Sequence, residues 1–530
     1  MRQVTGPDPR QEKSMALKSI PLGAGPAEQV AGAGLAESGP AMRAGAALRE
    51  AARMPPAQGG RVPMSSLERP PAAAGREHVG ESTPPARSGA FARVTRRLTG
   101  VSPGARRALA AISMLWIATA LGAGMAFLTQ ALLARELGPA DFGLFTSSLA
   151  TVTMIAPLAG FGLAQFWLKV YGAEGWAAGR WLRPSLRFIT ATTLLTLASV
   201  VLWALTGAPA DAASTLLLLS PVVLGVAAVA LISSKLRLEE RDHALALWQL
   251  TTPGSRLLVA VLLMAVPSLA GRFVAMGFGV ISLGVALLAL PQLNAMLRGR
   301  MQLRGHGPRP AAPEAAVAPG AMQVWSQAWA YGLGAVLYPI FFQISTVLLK
   351  YLDGNVEAGI FGIGLGVMTA TYLIPLTVYH KFLLSKQHRW AVHDPAKFWL
   401  IYRHGNLAML VSGLLVGCAI VALAPSLVPL AFGEKYRPVV PVLMMLALCA
   451  PLRFLSSGVG SALLNEQHTR YRVFVMGASA LVVVVLNLLL IPVFHELGAA
   501  AATVIGEGVL LMASYLGVRR FYPAAREVTP

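Results

Sequence analysis

The stretch "ALLARELGPADFGLFTSSLA" (131–150) interrupts an apolar region with Arg135, Glu136, a Gly138-Pro139 step and Asp141. Apolar runs of about 20 residues flank it, the length that crosses a hydrocarbon core as a helix. Proline lacks the N–H that a continuing helix needs, and glycine adopts backbone conformations closed to other residues. The stretch therefore reads as the turn of a transmembrane helical hairpin. Arg135 and Asp141 stay near water, and Gly143 lets the second helix pack closely at the turn. The whole chain agrees: its 530 residues are 55% hydrophobic and 13% charged, with a mean hydropathy of +0.60. Soluble domains carry roughly 25% charged residues, so this composition implies an all-α, polytopic membrane protein.

Apolar segments of spanning length run over 108–134, 142–168, 186–206, 215–234, 246–266, 273–297, 325–349, 358–380, 405–424, 439–463, 473–494 and 497–518, which predicts twelve crossings. Every second loop is basic. Arg96, Arg97, Arg106 and Arg107 precede the first span; Lys169, Arg180, Arg183 and Arg187 follow the second; Lys235, Arg237 and Arg241 follow the fourth. The pattern continues with Arg298, Arg300, Arg304 and Arg309, then with Lys381, Lys386, Arg389, Lys397 and Arg403 in the eighth loop, which also holds His380, His388 and His393 without metal-ligand spacing, Arg470 and Arg472 in the tenth, and Arg519, Arg520 and Arg526 at the end. The third loop, around Asp211, has no Lys or Arg. By the positive-inside rule both termini are expected in the cytoplasm.

The formal charge of +20 thus serves orientation, and nucleic acid is not an expected partner. Cys418 and Cys449 lie inside apolar runs and read as packing residues. Residues 1–107, rich in Ala, Gly, Pro and Arg, lack sustained apolar periodicity. They predict a disordered basic tail; a start of translation at Met54 or Met64 is the other reading. They also lack the order of a signal peptide.

The hairpin has an echo. "VLLKYLDGNVEAGIFGIGLG" (347–366) sets "VEAGIF" (356–361) against "ADFGLF" (140–145), about 216 residues apart, each with an acid, a glycine (Gly143, Gly359) and an aromatic. A six-span unit crosses an even number of times, so its two copies have the same orientation. Two six-helix lobes, 108–297 and 325–518, are expected about a pseudo-twofold axis along the membrane normal, with a cleft between them. Residues 298–324 form the Gly/Pro/Ala-rich linker, and 519–530 a second cytoplasmic tail.

Charges at mid-depth in lipid are costly and mark candidate sites. Three stand out: Arg256, Arg453 and Glu507. Gln249 and Thr252 share a helix face with Arg256, Ser457 and Ser461 share one with Arg453, and Thr503 precedes Glu507 by one turn. Such polar stripes on apolar helices suit the wall of a wet cavity. Arginine holds diphosphate groups through its planar fork of donors. Arg272, Arg135 and Lys350 extend the cationic set, and Arg135, Asp141, Lys350 and Glu357 mark an outer hairpin gate or interfacial anchors. Glu507 reads either as an ion-coupling group or as the partner of Arg256 or Arg453 in a structural pair. Trp325, Trp329 and Gln343 are candidate sugar contacts. No nucleophile–base pair, metal-ligand spacing or phosphate loop appears in the sequence, so neither enzymatic activity nor a cofactor is expected.

"LLARELGPADFGLFTSSLATVTMIAPLAGFGL" (132–163) resembles the first hairpin of bacterial polysaccharide flippases, the O-antigen and exopolysaccharide translocases of the multidrug/oligosaccharidyl-lipid/polysaccharide exporter superfamily. "AFGEKYRPVVPVLMMLALCAPLRFLSSGVGSALLNEQHTRYRV" and "NLLLIPVFHELGAAAATVIGEGV" resemble its tenth to twelfth helices, so the likeness covers about 108–520. It implies a two-lobed, twelve-helix fold in the bacterial inner membrane and alternating access. The implied activity moves a polyprenyl-pyrophosphate-linked oligosaccharide from the inner to the outer leaflet for polysaccharide biosynthesis, beside polymerase and export machinery. Two Arg against one Glu at mid-depth suit an anionic head group better than the cargo of a cation/drug antiporter. A membrane glycosyltransferase or polymerase would show a large outer loop, and all outer loops here are short.

Overall fold

The computed structural model describes residues 103–266, 271–304, 306–307, 317–373, 395–463 and 469–522. The chain divides into two units, Met1–Arg87 and Ser88–Pro530, and every described residue belongs to the second. The expected tail up to residue 102 and the histidine-bearing part of the eighth loop lie outside the described residues.

Among the described residues every regular element is helical. A bilayer offers the backbone no water, and a helix satisfies its own N–H and C=O groups. The α-helices are α1 Pro103–Ile155, α2 Pro157–Gly160, α3 Leu163–Glu174, α4 Leu182–Thr206, α5 Ala210–Leu219, α6 Val222–Leu238, α7 Asp242–Ala265 and α8 Gly271–Leu297 in the N-terminal half. The C-terminal half contains α9 Ala321–Leu352, α10 Asn355–Thr371, α11 Pro395–Phe432, α12 Val439–Leu446, α13 Cys449–Ser461 and α14 Thr469–Phe521. Eight helical stretches of the described chain, the longest of them running through short turns, are long and apolar enough to cross a membrane. One of them, Ser113–Thr206, has 94 residues, and another, Arg470–Phe521, has 52. Both far exceed the roughly 20 residues of a single crossing. The protein is a multi-pass helical membrane protein.

The breaks inside α1 and α14 fall where the sequence places turns. In α1, Gly138 leaves helical geometry (φ 78°, ψ 168°) immediately before Pro139. In α14 the break is at His495 (φ 54°, ψ −134°), between the predicted eleventh and twelfth spans. α1 itself begins at Pro103, five residues before the expected start.

The two hairpins of the repeat face each other. A Cβ on Gly143 would fall 1.6 Å from the carbonyl oxygen of Asn355, and one on Gly359 would fall 3.0 Å from the Gly143 Cα. The later arm of α1 and the start of α10 therefore cross almost backbone to backbone. In lipid, where apolar burial gives helices little reason to associate, small residues at such crossings supply the close packing. Around the crossing Phe142, Phe145, Phe361, Phe432 and Tyr436 are buried. Phe145 meets Phe278 edge-on at 5.1 Å, and Phe142 meets Tyr436 at 6.2 Å. Each such pair contributes about 0.5–1.5 kcal/mol beyond area burial. Leu195, Leu205, Leu415 and Leu489 are exposed on the outside of the bundle, as a lipid-facing surface requires.

Candidate functional site

Below this crossing lies a cavity of about 700 Å³ lined by both halves of the chain. α1 contributes Thr129, Gln130, Thr146 and Thr153; α7 contributes Thr252 and Arg256; α9 contributes Tyr338, Phe342 and Gln343. Arg453, Ser457 and Ser461 enter from α13, and Arg472 and Ser514 from α14. Two hydrogen bonds cross it from one half to the other. The Thr153 hydroxyl donates to Gln343 Oε1 at 2.8 Å, and Gln130 Nε2 donates to the Gly362 carbonyl at 2.9 Å.

Arg453 Nη2 lies 2.7 Å from Glu507 Oε1, with the Glu507 side chain fully buried. Of the two partners open to Glu507 in the sequence, Arg453 is thus the one it meets. The guanidinium also lies 4.3 Å from the Phe342 ring centre and 5.2 Å from that of Tyr372, with Tyr338 and Phe341 at 5.9 Å. Aromatic faces stabilise a desolvated cation. The carboxylate and four rings together explain how a charge persists in these buried surroundings. Arg256 packs on Phe278 at 4.8 Å, and its Nε has no hydrogen-bond partner. Thr503 donates to the Ala499 carbonyl at 2.8 Å and approaches the Ser345 hydroxyl at 3.4 Å, which in turn accepts from Asn487 Nδ2 at 3.0 Å.

Other expected residues are placed elsewhere. Thr252 and Ser457 line the cavity, whereas Gln249 and Arg272 are not among its lining residues; Arg272 is exposed in the first turn of α8. Gln343 lines the cavity, but Trp325 stacks on Phe161 at 4.8 Å and Trp329 lies 5.8 Å from the Arg470 guanidinium, both outside the lining. The aromatics that do line it are residues such as Tyr338, Phe342 and Tyr372, which the sequence did not single out. Arg472, assigned to a basic loop by its neighbours, also lines it. Only its spacing of three and four residues from Val475 and Met476, which also line the cavity, carries a signal of that.

Arg135 and Lys350 reach across the halves at the hairpin end. Arg135 Nε donates to the Ala431 carbonyl at 2.8 Å and its Nη2 donates to that of Leu430. Lys350 Nζ lies 3.5 Å from Asp211 Oδ2, which also accepts from Asn355 Nδ2 at 3.0 Å. The Tyr436 hydroxyl donates to the Ala134 carbonyl at 2.8 Å, and burial pushes its phenol above the ordinary range, so it remains a donor. Asp141 is exposed and Glu357 sits in the first turn of α10; neither forms an ion pair among the described residues. Each cation of the repeated hairpins thus docks on the opposite half. Chemically, the arrangement can hold an anionic group on guanidiniums, against a wall of rings, hydroxyls and amides.

This arrangement of helices is shared with solved transporters. The chain is similar to an inward-facing multidrug resistance MATE family transporter of the MOP superfamily, at 12% identity over 77% of this chain and 96% of that one, with a TM-score of 0.59. It is also similar to the lipid II flippase MurJ in an inward closed conformation, at 13% identity over 76% and 87%, with a TM-score of 0.57. A third likeness is to a MOP superfamily transporter from Pyrococcus furiosus, at 16% identity over 78% and 96%, with a TM-score of 0.52. No curated protein matches the chain. The class is therefore a multi-pass membrane protein with the MATE and MurJ type of transporter fold. Within it, the polysaccharide biosynthesis protein family matches residues 108–374, just over half of the sequence, and the chain belongs to that family.

Proposed function

We propose that the protein is a flippase for a polyprenyl-diphosphate-linked oligosaccharide in the bacterial inner membrane, moving it from the inner to the outer leaflet by alternating access. The observation that carries this reading is the cavity's charge: Arg256, Arg453 and Arg472 line it, and a single carboxylate, Glu507, pairs with one of them. An anionic head group offsets that excess, while the polar and aromatic wall suits sugars. The proposed architecture has twelve crossings in two six-helix lobes, 108–297 and 325–518, with the linker 298–324 and both termini in the cytoplasm. The breaks at Gly138 and His495 and the facing hairpins support it. The hairpin end is then the outer side, and the cross-half contacts of Arg135 and Lys350 form its gate.

The deciding measurement uses a deletion strain whose lipid-linked glycans are probed in intact spheroplasts with an impermeant glycan-modifying enzyme. Glycan that is protected in the deletion strain and accessible once the gene is restored is the expected result. Unchanged glycans with altered sensitivity to cationic drugs would move the assignment to an antiporter, the alternative offered by the MATE likeness. Arg256→Ala is expected to abolish complementation with normal membrane insertion, and full activity in that variant would remove Arg256 from the site.

A further inference from the structure

The three cavity arginines are not equivalent. Arg453 is already neutralised by Glu507 at 2.7 Å. Arg256 is packed on the Phe278 ring at 4.8 Å. Arg472 has no ion pair with a described carboxylate, is exposed, and lines the cavity. Their depths differ as well. On the proposed topology, the start of α7, the end of α13 and the start of α14 lie on one side of the bilayer. At ~1.5 Å per residue, Arg472 is then ~5 Å in from that side, Arg453 ~12 Å and Arg256 ~21 Å.

The main chain at Arg472 is held by the residue before it. Its neighbour Tyr471 donates its hydroxyl to the Ala513 carbonyl at 2.7 Å, tying the first turn of α14 to the last part of the same element. The Tyr471 ring fills the space beside Gly517, where a Cβ would come within 2.2 Å of it. Tyr338, 5.9 Å from the Arg453 guanidinium, lines the same cavity as Arg472.

From this ladder we infer that Arg472 is the entry contact for the substrate's diphosphate, the unpaired guanidinium that captures it before it reaches Arg453 and Arg256. The inference rests on the flippase reading. The chemistry recognised is a diphosphate, whether borne on a lipid or free. A planar fork suits it better than a point charge, so lysine is a poor replacement.

The test uses the full chain in nanodiscs, modified with phenylglyoxal and read arginine by arginine by peptide mass spectrometry. Geranyl diphosphate, inorganic pyrophosphate and geraniol are the probes. Geranyl diphosphate is expected to slow modification of Arg472 about fivefold or more, and geraniol to leave it unchanged. Matching protection by pyrophosphate supports a site for the diphosphate itself, and protection by geranyl diphosphate alone supports one for a lipid-borne group. Arg472→Ala should raise the geranyl diphosphate concentration that protects Arg256 about tenfold, and Arg472→Lys should recover only part of that loss. Protection of Arg256 and Arg453 with Arg472 unaffected would overturn this assignment and leave the proposed function standing. Protection by geraniol overturns it too. If no arginine is protected by either diphosphate, the anionic-substrate reading itself fails.

Discussion

Glu507 and Arg453 show what a buried charge needs in order to exist in a membrane protein. Breaking such a pair from one side leaves an uncompensated ion and typically costs about 3–5 kcal/mol, whereas replacing both partners by apolar residues is often neutral. Glu507→Ala is therefore expected to lose stability on that scale in detergent unfolding experiments. The double variant Arg453→Met/Glu507→Leu should regain most of it while still failing to complement a deletion strain. Recovery of both stability and transport would make the pair purely structural. Arg256, Arg453 and Glu507 were legible in the sequence because a charge stands out in an apolar run. Arg472 was not, because "HTRYR" (468–472) looks like an ordinary basic loop. Gln249 shares the expected face of Arg256 but lies ~10 Å along the axis from it, and counting faces ignores depth.

At the scale of elements, the hairpins carry the most information. Gly138-Pro139 announces its own break, and the gap between the last two predicted spans coincides with His495. The sequence assigned Gly143 to packing at its own turn. The structure presses it against Asn355, in the other copy of the motif. A single sequence tells that something comes close to a glycine, but the partner becomes known only when the helices are placed. The Asn355–Asp211 contact at 3.0 Å gives a direct test of the gate. With Cys418 and Cys449 replaced by alanine, Asp211→Cys/Asn355→Cys is expected to form a disulfide under mild oxidation. Transport should then stop and return on reduction. Undiminished transport by the oxidised protein would show that this end need not open.

For the whole molecule, composition alone excluded a soluble protein, because 13% charged residues cannot cover so large a water-facing surface. The alternation of basic and non-basic loops carries the proposed orientation, and topology reporters test it. Alkaline phosphatase fused after Ala208 is expected to be active, and after Gly299 inactive; the reverse pattern would invert the protein in the membrane. The shape of the cavity was not legible in the same way. It is made where side chains from α1, α7, α9, α13 and α14 converge, and no local pattern encodes that meeting.

Arg135 clasps two main-chain carbonyls, those of Leu430 and Ala431. Every residue type has a carbonyl, so genetics sees this contact from one side only. Replacing residue 430 or 431 leaves the acceptors in place, and no reciprocal charge swap there can rescue the loss of Arg135. Compensation has to come from elsewhere at the hairpin end, and a search for coupled substitutions between these positions would pass over the clasp entirely.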